Sequence, residues 1–142
     1  MGLPSSWSAR LLSVLRIVAG LCFMEHGAMK LLHFPAPVMP GPLPPLLVLA
    51  GAIELVAGLL VVIGLFTRPA AFIASGEMAV AYFGFHVFHL FPGSPPGSVS
   101  FDPQANHGAE AALYAVIFLY IAAAGGGAWA LDTALPRRRA VP

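Results

Sequence analysis

Four blocks of apolar positions, 11–32, 46–66, 70–91 and 109–131, alternate with stretches that hold all fourteen prolines and most of the turn-forming residues. At about 1.5 Å per residue, each block is long enough to cross about 30 Å of hydrocarbon. Backbone amides in lipid must pair within their own segment, so each block is predicted to be a helix. The first is interrupted by Glu25 and His26, and no small-x-small cleavage site follows it. It is therefore expected to be a retained span and not a signal peptide. The predicted fold is all-α: an integral membrane four-helix bundle forming a single transmembrane domain over residues 1–142.

Composition supports this pattern. The chain is 58% hydrophobic and only 9% charged, with a mean hydropathy of +0.84, whereas about a quarter of the residues of a soluble domain are charged. The lipid bilayer is the expected main partner. A net charge of +1 without an extended basic stretch excludes nucleic acid. The single cysteine, Cys22, excludes an internal disulfide and a multi-cysteine metal site. Arg10, Arg16, Arg68 and Arg137 to Arg139 fall on one side of the predicted spans and Lys30 on the other. The positive-inside rule then places both termini in the cytoplasm, with Trp7 and Trp129 as interfacial anchors. Loops 33–45 and 92–108 would lie outside, the first extended by its prolines and the second a run of turn signals with no chemistry of its own.

Six charged residues, Arg16, Glu25, Lys30, Glu54, Glu77 and Glu110, fall inside spans, where an ionised group costs about 2.5–3.5 kcal/mol unless paired. Counted along ideal helices, Arg16 lies roughly 8 Å and Glu77 roughly 10 Å from one end, a candidate structural ion pair. From the other end Glu54, His26 and His86 reach roughly 8–12 Å. With Lys30 and Tyr82 they form a candidate ligand-binding cluster. Lys30 by itself is expected to snorkel toward the interface. Small residues flank Glu54 (Ala50, Gly51, Ala57, Gly58), which directs it to the bundle interior. On an ideal helix Glu77 and His86 point in opposite directions, so either the winding departs from ideal or one of them faces a subunit seam. His86 and His89 have no Glu-x-x-His companion and are read as hydrogen-bonding groups, so no metal site is expected. Gly125, Gly126 and Gly127 are expected to loosen or end the fourth helix.

Several of these segments together resemble the DoxX family of small four-helix membrane proteins. They are Arg16 with Gly20, His26-Gly27-x-x-Lys30 followed by Phe34-Pro35-Ala36-Pro37, Glu54-Leu55-Val56-Ala57-Gly58, Gly64-Leu65-Phe66-Thr67-Arg68-Pro69, Gly76-Glu77-Met78-Ala79-Val80-Ala81-Tyr82-Phe83 with His86, and the ending from Gly125 to Asp132. The family commonly carries Asn-Gly-Gly-Glu at the start of the fourth span, whereas Asn106-His107-Gly108-Ala109-Glu110 places the acid one residue later. Gly93 to Gln104 also look inserted. The resemblance implies a multi-pass protein of the bacterial plasma membrane associated with quinone-linked oxidoreduction. Its redox chemistry would come from a quinone or from a membrane or periplasmic partner, since the chain offers no intrinsic cofactor site. A non-catalytic accessory or assembly subunit, a homo-oligomer and a small proton-coupled transporter are the other readings.

Overall fold

The computed structural model describes residues 5–135; Arg137 to Arg139, assigned above to a cytoplasmic tail, lie outside them. Helix α1 is Ser5–Leu31 and α2 is Pro45–Ile63. Helix α3, Thr67–Val80, continues without a break into a π-helical segment, Ala81–Val87. Helix α4 is Ala109–Ala124, and a single turn, α5, covers Leu131–Ala134. Among the described residues there is no strand. Ser6–Leu31, Pro45–Ile63 and Thr67–Val87 are long and apolar enough to cross a membrane, while α4 is apolar but shorter, at 16 residues.

The helix boundaries differ from the sequence pattern for local reasons. Helix α2 stops three residues early because Gly64 adopts a left-handed φ of +72°. Its amide and that of Leu65 turn back to the Leu60 carbonyl, closing the helix C-terminus. Helix α3 starts at Thr67, before the predicted 70, because Pro69 sits in the first turn, where a missing N–H costs nothing. Helix α4 ends at Ala124 and not at 131, since Gly125 takes φ +95°.

Large side chains such as Val18, Leu21, Val56, Phe72, Ile73 and Leu113 are exposed, whereas the core is made mostly of small residues. This inversion suits a surface solvated by lipid, where close backbone packing holds helices together. Helix α1 packs chiefly on α2, and α3 chiefly on α4. Across the first pair, glycines seven residues apart meet in antiparallel register, Gly20 against Gly58 and Gly27 against Gly51. A Cβ on Gly27 would stand 2.8 Å from the Gly51 carbonyl oxygen, and one on Gly58 would stand 2.6 Å from Met24 Cγ. Phe23, fully buried, joins the two pairs by an edge contact with Phe118 at 4.8 Å. At one end of the bundle lie loops 32–44 and 88–108; the other holds the Gly64–Phe66 turn and the segment after α4.

Candidate functional site

At the loop end all four helices and both loops surround a cavity of about 360 Å³. Its polar wall is formed by His26 and Lys30 from α1, Glu54 from α2, Glu77 and His86 from the third helix, and Glu110 from α4. Met39, Leu47, Met78 and Phe85 supply apolar wall, and Pro95 and His107 close over it.

The inward phase of Glu54 follows from the small-residue stripe on α2. Its side chain is 1% exposed, and both carboxylate oxygens accept from Lys30 Nζ, at 2.6 and 2.7 Å. Lys30 does not snorkel outward: its stem lies against Gly51, where a Cβ would come within 3.0 Å, and its ammonium turns inward. His26 Nε2 lies 3.0 Å from Glu110 Oε1 at the more exposed rim, and its ring meets Tyr114 edge-on at 6.2 Å.

Glu77 lies in this chamber and is not paired with Arg16. Its Oε2 is buried with no hydrogen-bond partner among the described residues, and it is within electrostatic reach of Glu54 and Lys30. The π-helical segment explains how Glu77 and His86 line the same cavity. Its i to i+5 pattern, seen in the 2.9 Å bond from Phe88 N to Phe83 O, turns the chain less per residue than an α-helix does. The apparent conflict of phase is thereby removed without a subunit seam. Gly84 permits the winding locally, because the Phe91 ring occupies the space a Cβ there would need.

Tyr82 and His86, on the π-helical segment, and His89, just beyond its end at φ +51°, fasten the second loop. Tyr82 Oη donates to Phe101 O at 2.9 Å, His86 Nδ1 bonds Asn106 O at 3.1 Å, and His89 Nε2 bonds Ser98 O at 3.3 Å. A carbonyl only accepts, so the proton of His86 sits on Nδ1. Tyr82 is thus a loop clamp outside the cavity wall, while His86 is both clamp and wall. Buried Asn106 pins the loop internally, donating to Ser100 O at 2.9 Å and accepting from Gly108 N at 2.7 Å. Glu110, His107 and the loop residues over the cavity were not among the ligand candidates read from the sequence. The histidine next to Asn106 and the acid in the first turn of α4 were the available signals.

Arg16 works at the opposite end. Fully buried, it donates from Nε to Gly126 O at 2.8 Å, from Nη1 to Val61 O and to Val62 O, and from Nη2 to Trp129 O at 3.3 Å. The expected ion pair with Glu77 is replaced by bonds to carbonyls at the end of α2 and in the glycine-rich segment, where a planar guanidinium reaches several acceptors at once. Arg68 caps α4 in the same manner, at 2.7 Å from Ala123 O. Asp132 caps α3, accepting from Phe66 N and Thr67 N at 2.8 Å each. Burial opposes the charge on Asp132, but these Thr67 and Phe66 bonds and the nearby Arg16 outweigh it and hold the carboxyl below the usual carboxylate range. Among the described residues no group of three or more His, Cys, Asp or Glu is placed to hold a metal ion.

Known proteins match this chain at the level of sequence. The DoxX family profile covers residues 11–87, which include Arg16, His26, Lys30, Glu54, Glu77 and His86. A protein of Haemophilus influenzae described as uncharacterized is 46% identical over 124 residues, covering 85% of this chain and 87% of its own length. No solved structure matches. With three membrane-length apolar helices, a fourth shorter one and this profile match, the chain is a membrane protein belonging to the DoxX family.

Proposed function

We propose that the protein is a multi-pass subunit of the bacterial plasma membrane that receives the head group of a lipid-soluble quinone in the loop-end chamber, within a redox complex. The observation that carries this reading is Glu77: a carboxyl with bonding capacity left open, facing a cavity whose other acids are paired. A quinone head needs donors for two carbonyl oxygens and apolar walls for its ring. Lys30, His26 and a protonated Glu77 are the candidate donors, and Phe85, Met78 and Leu47 are the candidate walls. Bound there, the quinone would supply two-electron, two-proton chemistry. The chain's own part is to hold the head group and exchange protons with water, for which the His26 and Glu110 contact at the rim is the natural route. Electrons would come from a membrane or periplasmic partner.

The basic residues favour both termini in the cytoplasm and the chamber toward the outer face. Reporter fusions after residue 142 and at Ser98 should read cytoplasmic and external respectively. Extraction in mild detergent followed by mass spectrometry tests the binding role. A stoichiometric quinone in the wild type, lost in a Glu77→Leu variant that still inserts and folds, is the expected result, since leucine removes the bonding group and keeps the volume. A protein partner without any quinone would favour the accessory-subunit reading, which rests on the long loop that Tyr82, His86 and His89 hold in place.

A further inference from the structure

Resting on that reading, we infer that the chamber's ligand lies with its hydrocarbon tail in the groove between α2 and α3, and reaches the chamber sideways from the lipid. The groove has a volume of about 330 Å³ and an almost wholly apolar lining, including Leu49, Ile53, Phe72, Ile73 and Val80. It is continuous with the chamber: Ala50, Glu77, Ala81 and Phe85 line both. Glu77, the carboxyl with an unpartnered buried oxygen, therefore stands at the junction, with the polar chamber on one side and a hydrocarbon-lined path on the other. Gly76 leaves the groove open, since a Cβ there would meet nothing within 4 Å. An amphiphile with a polar ring and an apolar tail matches this change of lining.

A second groove, between α1 and α4, also touches the chamber, through Glu110 and Tyr114. The groups at that junction are already engaged. Glu110 is bonded to His26, and Tyr114 is held in an aromatic cluster by the His26 ring on one side and Phe118, stacked at 5.7 Å, on the other. The open carboxyl and the open glycine both belong to the α2 and α3 side.

The test uses the full chain in nanodiscs and a benzoquinone whose decyl tail ends in a diazirine, photolysed and mapped by peptide mass spectrometry. Labelling is expected to concentrate on the peptides spanning 46–53 and 72–80, and to be displaced by excess tail-less benzoquinone. It should fall about tenfold or more in Gly76→Phe, whose ring fills the groove. Gly76→Leu and Ile73→Trp block the same path by independent substitutions, and each variant is checked for wild-type thermal stability. Labelling that the tail-less ring displaces but that maps to α1 and α4, or is indifferent to all three variants, overturns the α2 and α3 path and leaves the chamber reading standing. Labelling that the ring cannot displace, or that spreads evenly over every lipid-facing helix, marks ordinary solvation by lipid and overturns both.

Discussion

Replacing Arg16 by methionine removes a buried guanidinium that joins α1 to the end of α2 and to the segment after α4. Of its bonds, those to Gly126 and Val61 are buried and those to Val62 and Trp129 are partly so. A hydrogen bond from a charged donor contributes about 1.5–3 kcal/mol, so the two buried bonds alone set the loss at about 3–6 kcal/mol. The partly buried carbonyls can turn to water or head groups and add little. Methionine retains much of the stem's volume, so the loss reports bonding more than a cavity. Lysine keeps the charge but concentrates it at a single ammonium, and should recover about half of the stability. Unfolding in mixed micelles, driven by dodecyl sulfate and followed by far-UV circular dichroism, measures these differences. A cycle with Glu77→Gln adds a stricter condition. Arg16 and Glu77 share no contact, so their effects should add to within about 0.5 kcal/mol. A coupling above about 1 kcal/mol, or a loss below that for Arg16→Met alone, would refute the placement of Arg16.

Three further outcomes follow from the geometry. Lys30→Met leaves the carboxylate of Glu54 buried without its cation and should cost about 3–5 kcal/mol in the same unfolding assay, with Lys30→Met/Glu54→Leu regaining much of it. Gly27→Ala drives a methyl group into the backbone of α2 and should cost about 1–3 kcal/mol, whereas Gly76→Ala meets nothing and should be neutral or gain up to about 1 kcal/mol from helix propensity. Asp132 titrates lower folded than unfolded, so its contribution is complete above its unfolded value and is lost as pH falls through the folded one. The stability difference between wild type and Asp132→Asn should therefore be largest near neutral pH and shrink as the pH is taken below the usual carboxylate range.

The helices were legible because they depend on one-dimensional signals, apolar run length and proline outside the runs. Of their breaks, the glycine end of α4 at 125–127 was legible as well, while the positive φ of Gly64 fell inside a predicted span. The interior phase of Glu54 was legible for the same reason, since small residues at helical spacing mark the contact face. Side-chain pairing was less so. Counting along ideal helices put Glu77 level with Arg16 and set Glu77 and His86 at opposed phases, but it ignored two things the sequence does not display, one behind each misreading. A long guanidinium chooses among carbonyls brought near by tertiary packing, here the end of α2 and a segment more than a hundred residues further along. And a π-helical segment over Ala81–Val87 rotates every later side chain relative to the earlier ones. Aromatic residues around Gly84 are the local trace of that rewinding, visible in the sequence but without a meaning until Phe91 is seen against the glycine.

The two ends of the bundle treat ionisable groups in opposite ways. At the end away from the loops, Arg16, Arg68 and Asp132 each close on backbone groups of a neighbouring segment and cap a helix terminus. These bonds fix helix order, and a charge retained for that purpose is expected to have its bonds satisfied. At the loop end, Lys30 and Glu54 satisfy each other, as do His26 and Glu110, yet Glu77 is left with a buried oxygen open. An open buried polar atom costs stability, and it lies just before a π-helical segment, a winding found frequently at functional sites. Glu77 stands at the meeting of a polar chamber and a lipid-facing groove, so the ligand recognition proposed above would draw on both departures, the open carboxyl and the altered winding.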